Sequence, residues 1–219
     1  MKEIFSIIFT VIFSYLLGSL NSAIIVCKIM KHEDIRNFGS KNAGLTNVLR
    51  TFGKGCAGVT LLCDLFKGII AVVICRLVVT NLFDVMFFND SRFIGYLAGI
   101  FVMLGHIFPV FYGFHGGKGV LIAATTLIAI DPLTCLFSVS VFAIVLMITK
   151  YVSVGSICAA VSYPVFTFIT QTYILKLSDG VVVNTLMAAF IAVVIIYMHR
   201  SNIKRLINGT ENKFGSKKK

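Results

Sequence analysis

Charge is what this chain has least of. Only 13% of its 219 residues are charged, against 58% hydrophobic, and the mean hydropathy is +0.94, so there is too little polar surface to enclose a soluble core. The expected class is an all-α integral membrane protein. Acidic residues are scarcer than basic ones: 9 Asp and Glu against 20 Lys and Arg leave a net charge of +11. In a soluble domain that excess would suggest nucleic acid, but here the cations crowd into a few loops and the tail, as topology signals do, so no nucleic-acid partner is expected. Paired metal-ligand cysteines are missing as well. Cys27, Cys56, Cys63, Cys75, Cys135 and Cys158 lie in or beside apolar stretches with no Cys-x-x-Cys among them, and they read as small hydrophobes. Neither a metal nor a cofactor is expected.

Apolar runs are abundant. Candidate spans cover about Ile4 to Ile29, Ala57 to Val79, Phe93 to Phe114, Val120 to Ile130, Leu133 to Ile148, Val154 to Ile169 and Val181 to Tyr197, which predicts about seven transmembrane helices in one polytopic domain, residues 1–219. Val120 to Ile130 is too short to cross a bilayer unless its neighbours extend it, so five spans with a re-entrant pair is the alternative. Gly18, Ser19, Asn21 and Ser22 interrupt the first run without a clear cleavage site, and it reads as a retained helix. Lys31, Arg36, Lys41, Arg50 and Lys54 follow that run, and a basic tail from about residue 199 holds Arg200, Lys204, Arg205, Lys213, Lys217, Lys218 and Lys219. Both regions should be cytoplasmic, which puts the amino terminus outside and the carboxyl terminus inside.

Two polar, glycine-rich segments stand out against this background: Gly39 to Arg50, GSKNAGLTNVLR, and Gly105 to Gly119, GHIFPVFYGFHGGKG. Lipid tolerates neither loose backbone nor unpaired charge, so such segments persist where they line a polar cavity or face water. Glycines at 39, 44, 116, 117 and 119 let backbone N–H groups turn toward one point, with Lys118 among them, which is anion chemistry. A helix beginning after Gly119 adds its positive end. Ser40, Asn42, Thr46, Asn47 and Arg50 supply further donors. The second segment is not a Walker loop: Gly113-x-x-x-Gly117-Lys118-Gly119 is one residue short and has glycine where Ser or Thr would hold magnesium.

Histidine is scarce, four in all. His32 sits among Lys31, Glu33 and Asp34 and reads as a solvated loop residue. His106 lies within an apolar helix, where an ionisable group is a functional candidate by default. His199, with Asn202 one turn on, sits where the last span meets the cytoplasm. Asp64 and Lys67, three apart, share a helix face as a strut or as orienters of a site residue.

At this point the blocks YLLGSLNSAIIV, DIRNFGSKNAGLTNVLRTFGKG, DLFKG, GHIFPVFYGFHGGKGV and HRSNIKRLINGTENK together resemble the acyl-phosphate-dependent glycerol-3-phosphate acyltransferases of bacterial inner membranes, in order from about Tyr15 to Lys213. The resemblance implies a seven-helix enzyme that moves a fatty acyl group from acyl phosphate to the 1-hydroxyl of glycerol 3-phosphate, giving lysophosphatidic acid and inorganic phosphate, the first acylation of phospholipid biosynthesis. It implies phosphate or substrate binding by Ser40, Asn42, Gly44, Thr46, Asn47 and Arg50 and by Gly116, Gly117, Lys118 and Gly119. Catalytic roles fall on His106, His199 and Asn202, with Asp64, Lys67 and His115 as candidate supports. Its partners are the two substrates, membrane lipid and, functionally, an enzyme that makes acyl phosphate.

An acyl phosphate is already activated, so positioning and charge neutralisation suffice without a nucleophilic side chain. The chain also lacks His-x-x-x-x-Asp, the motif of the other class of glycerol-phosphate acyltransferase, which argues against acyl-CoA as donor. It departs from the family pattern at Lys41, where glycine is usual, at Ala43, Leu45, and at His115, where lysine is usual. The expectation is that Lys41 gives up a positive-φ turn while adding a cation, and that His115 gives up a fixed charge. A small secondary transporter or channel for an organic anion is the competing class, since it too would set broken helices and a membrane-buried histidine around a polar site. The chain has no convincing internal repeat of the kind many such folds carry.

Overall fold

The computed structural model describes residues 1–215; Ser216 and the lysines Lys217, Lys218 and Lys219 of the basic tail lie outside the described residues. Among the described residues the chain is helical throughout, with one isolated bridge pairing Phe87 and Asp90. It divides into two compact units, Met1–Ile130 and Asp131–Lys219.

The first unit holds α1 (Lys2–Ser19), α2 (Ser22–Lys31), α3 (Leu45–Leu77), α4 (Arg92–Ile107) and α5 (Val120–Ile130). Helix α1 is inside out. Its buried face is the small and polar stripe Ser6, Thr10, Ser14 and Gly18, while Ile4, Phe5, Ile8, Ile12 and Leu16 are exposed. Lipid is as apolar as leucine, so helices in it associate by close approach of small residues rather than by burying large ones. The hydroxyls cause no penalty because they fold back on their own helix: Ser6 donates to the Lys2 carbonyl at 2.8 Å and Thr10 to that of Ser6 at 2.8 Å. A Cβ at Gly18 would collide with the Val102 carbonyl of α4, and one at Gly105 with the Tyr15 carbonyl. The two backbones touch there.

Asn21 separates α1 from α2 and caps α2, accepting from the Ile24 amide at 3.1 Å. Helix α3 bends at Gly53, whose φ of +81° needs a residue without a Cβ. The bend sets the turn carrying Asn47 and Arg50 apart from the apolar length that follows.

The second unit holds α6 (Pro132–Thr149), α7 (Val152–Ile169), α8 (Val181–Met198) and α9 (Arg200–Ile207). Asp131 caps α6, accepting from the Thr134 amide at 3.2 Å, and Pro132 follows in the first turn, where no N–H is needed. The expected tail begins as α9, and further along it Phe214 donates its amide to the Lys150 carbonyl at 2.7 Å.

Among the described residues, five helical stretches are long and apolar enough to cross a membrane: Lys2–Lys31, Arg92–Tyr112, Pro132–Thr149, Val152–Ile174 and Val181–Met198. The expected second span lies in α3, which buries Asp64 and Lys67 within its length. The expected fourth is α5, only 11 residues long.

Candidate functional site

The two polar segments meet in the first unit. Between α2 and α3 the chain makes a 3-10 turn at Ile35–Asn37 and then a loop organised by one side chain. The amide of Asn47, 4% exposed, donates to the carbonyls of Phe38 at 3.0 Å, Asn42 at 3.1 Å and Ile35 at 3.4 Å, and its oxygen accepts from the Ser40 amide at 3.0 Å. Asn47 therefore shapes the loop from within. Ser40, Lys41 and Arg50 are exposed, and Asn42, Gly44 and Thr46 are half-buried. Lys41 keeps the left-handed turn, with φ +58°, so the expectation that lysine loses it is corrected: the surrounding hydrogen bonds hold the backbone there in spite of the Cβ.

The second segment leaves the end of α4 through a 3-10 turn at Val110–Tyr112 and returns as Gly116 to Gly119, directly before α5. Here the expectation about backbone N–H groups needs correcting. Those of Gly116 and Gly117 donate to the carbonyls of Ile107 at 3.0 Å and His106 at 3.1 Å, terminal carbonyls of α4 that lack helical partners. They are glycines because of crowding: a Cβ at Gly116 would strike the His106 carbonyl, and one at Gly117 the His106 Nε2. The turn is a cap on α4 that presents Lys118, half-buried, at the start of α5.

Three contacts tie the segments together. Ala43 donates its amide to the Gly116 carbonyl at 3.3 Å. Asn21 Nδ2 reaches the carbonyls of Ala43 at 3.5 Å and His106 at 3.4 Å. Arg36 donates to the Tyr112 carbonyl at 2.7 Å and the His115 carbonyl at 3.4 Å, while Asp34 grips its guanidinium at 2.7 Å. The side-chain hydrogen bond from Arg36 holds the Asp34 carboxyl below its ordinary pKa, and the same bond raises that of Arg36. Sequence reading placed Arg36 only among topology charges and Asn21 only as an interruption. A polar residue breaking an apolar run was the available signal for Asn21; for Arg36 the signal was its place in the block that begins DIRNF.

His106 lies behind the turn, 4% exposed. Its Nδ1 is 3.4 Å from Lys67 Nζ, and Lys67 in turn is 3.1 Å from Asp64 Oδ1. Asp64 and Lys67 pair, as the strut reading expects, and Lys67 also contacts His106. His115 is exposed, its Nδ1 2.5 Å from the Gly113 carbonyl, and His32 is exposed at the end of α2.

In the second unit His199 and Asn202 are both buried, at 3% and 7% exposure. His199 Nδ1 donates to the Ile195 carbonyl at 2.8 Å, so Nε2 is the nitrogen able to accept a proton. Asn202 Nδ2 donates to Glu211 at 2.8 Å, and the same carboxylate receives Ser153 at 3.0 Å and Arg205 at 2.6 Å. Burial pushes the Glu211 carboxyl up, but the bonds from Asn202, Arg205 and Ser153 outweigh it and the net pKa lies below the ordinary value. Glu211 escaped the sequence reading although it lies inside the last of the quoted blocks.

Residues 8–209 match the family described as glycerol-3-phosphate acyltransferase. The chain is similar to the glycerol-3-phosphate acyltransferase of Clostridioides difficile (strain 630), 42% identical with 99% of each chain covered. It is also similar to that of Acholeplasma laidlawii, 38% identical with 99% of this chain and 96% of the relative covered. Among solved structures it resembles the crystal structure of PlsY (YgiH), an integral membrane glycerol 3-phosphate acyltransferase, in its glycerol 3-phosphate form, with a TM-score of 0.80, 37% identity and 96% of each chain covered. The same protein's lysophosphatidic acid form gives a TM-score of 0.78 at 35% identity.

Proposed function

This chain belongs to the glycerol-3-phosphate acyltransferase family, and from that premise we propose that its acyl donor is an acyl phosphate. It is a multi-pass membrane enzyme that acylates glycerol 3-phosphate to lysophosphatidic acid, an early step of phospholipid biosynthesis. The glycerol 1-hydroxyl oxygen attacks the acyl carbonyl carbon, the bond from that carbon to the phosphate oxygen breaks, and inorganic phosphate leaves with the electron pair. Substrate and leaving group both carry phosphate. The observation that carries the reading is the joining of the two polar segments through Ala43, Asn21 and Arg36, which sets Arg50 and Lys118 on segments of one assembly.

Within it, Lys118 and the start of α5 neutralise a phosphate, and Ser40, Asn42, Thr46 and Arg50 supply further donors. Gly44 gives the loop its entry into α3, Asn47 shapes it, and Gly116, Gly117 and Gly119 make the turn. His199, whose Nδ1 is held by a backbone carbonyl, accepts the hydroxyl proton at Nε2, with Asn202 positioned beside it by Glu211. Both units serve one enzyme, since the family match runs through each. Seven spans complete the topology if α3 and α5 cross with the five apolar stretches, with the polar segments and the tail at the cytoplasmic face of the inner membrane, where an acyl-phosphate-producing enzyme can deliver the donor.

The test is an assay of the purified protein in detergent, with acyl phosphate, acyl-CoA and acyl carrier protein thioester offered as rival donors to glycerol 3-phosphate. Lysophosphatidic acid and stoichiometric phosphate from the acyl phosphate alone support the donor. Product from the thioesters only refutes it.

A further inference from the structure

A buried ammonium is the least expected group in the first unit. Lys67 sits on α3 with 6% exposure, and a charge so placed persists only if its three donors are met. They are. Nζ is 3.1 Å from Asp64 Oδ1, 3.1 Å from the Leu20 carbonyl, 3.4 Å from the Gly18 carbonyl and 3.4 Å from His106 Nδ1. The two carbonyls belong to the end of α1, where the helix breaks before Asn21.

An ammonium donates and never accepts, so Nδ1 of His106 accepts from it. Asp64 Oδ1, at 3.8 Å from Nδ1, is too far to receive a hydrogen from the ring. The imidazole is therefore neutral with its hydrogen on Nε2, and that edge lies against Gly117, where a Cβ would strike Nε2. The contrast with His199 is direct: there Nδ1 donates to a backbone carbonyl, leaving Nε2 as the basic nitrogen.

We infer that Lys67 is a positioning residue for the acyl transfer: it holds His106 as the Nε2–H tautomer, and His106 props the turn that presents Lys118 rather than taking a proton from the substrate. The inference rests on the proposed phosphate role of that turn. Asp64 and Lys67 are the titratable groups that face the ring, and Asp64 Oδ1, at 3.1 Å from Nζ, is the counter-charge of the ammonium.

The experiment uses the full-length chain in detergent and whichever donor the wild type accepts, so failure of the acyl-phosphate reading shows in the wild type before any variant is made. Lys67→Met strands a buried carboxylate, so it is paired with the charge-neutral double variant Asp64→Asn, Lys67→Met. His106→Gln places an amide N–H near the position of Nε2–H. The double variant should raise KM for glycerol 3-phosphate roughly tenfold or more with kcat changed by less than about fivefold, and the pH profile of kcat should not move. His106→Gln should keep kcat within about tenfold and keep the same pH profile. In protein labelled with 15N-histidine, the resonances absent from His106→Gln should carry the shifts of a neutral Nε2–H ring in the wild type. A loss of kcat on the order of a thousandfold in folded His106→Gln, with a limb of its pH profile gone, would overturn the inference by making His106 a proton acceptor. So would a His106 ring protonated on Nδ1, or wild-type kinetics in the double variant.

Discussion

Lys41 and Lys118 show how differently one residue type can serve within a single assembly. Lys41 occupies a left-handed conformation, φ +58°, which disfavours any residue with a Cβ by about 1–2 kcal/mol. Lys41→Gly should relieve that strain, offset partly by the freer unfolded chain, for a net gain of about 0.5–1 kcal/mol in a detergent melt. If the same variant also raises KM for glycerol 3-phosphate, the cation reaches substrate; an unchanged KM confines it to solvent. Lys118 is held half-buried on a glycine turn docked against His106. Lys118→Ala should leave the fold intact and lower kcat/KM by about 2 kcal/mol, roughly thirtyfold, the loss of a charge-assisted contact. Normal kinetics in folded Lys118→Ala would reduce the turn to a helix cap.

At the scale of elements, polar side chains rather than hydrophobes decide where helices join in the second unit. Asp131 caps α6 through the Thr134 amide, and its other oxygen lies 3.4 Å from both Thr170 Oγ1 and Gln171 Nε2 in the π-type turn that closes α7. Gln171 passes the connection to Asn184 of α8 at 3.0 Å. Asp131→Ala removes the cap and strands several buried donors, so it should lower stability by about 2–4 kcal/mol, read as an earlier detergent melt. The contact of α9 with the tail turns on Glu211 in the same way. Its folded pKa is lowered, so its contribution is complete above the unfolded carboxyl pKa of about 4.3 and disappears as pH falls through the lower folded value. Protection of residues 200–214 from hydrogen exchange, taken relative to the intrinsic amide rate at each pH, should therefore fall at the acid end in the wild type. In Glu211→Gln it should be low already at pH 7, with little further change.

Over the whole molecule, the proposed orientation rests on the excess of positive charge. Loops and tail carry the cations, and under the positive-inside rule the proposed topology has Glu33 in the cytoplasm and Asn89 outside. A cysteine introduced at Asn89 should react with an impermeant thiol reagent added to intact cells, and one at Glu33 only after the membrane is opened. The parent chain, whose own cysteines lie in helices, serves as the blank. Labelling of both from the same side would rule out an odd number of spans between them and remove α3 from the membrane count.

Sequence alone determined the class, the apolar stretches and the family of this protein, because hydropathy is summed along consecutive residues and the motif blocks are contiguous. It also located the two polar segments and singled out His106, His199, Asp64 and Lys67. What it left open was every relation between residues far apart in the chain. The face of α1 that packs is the polar one, since hydropathy measures affinity for lipid and not for another helix. The amides of Gly116 and Gly117 turn back to α4, although their composition suits an anion nest, because a glycine's freedom says nothing about which acceptor is near. His106 and His199 are equivalent as letters; the tertiary structure set His106 apart by bringing an ammonium from another helix beside its Nδ1, whereas Nδ1 of His199 meets a carbonyl one turn back in the chain.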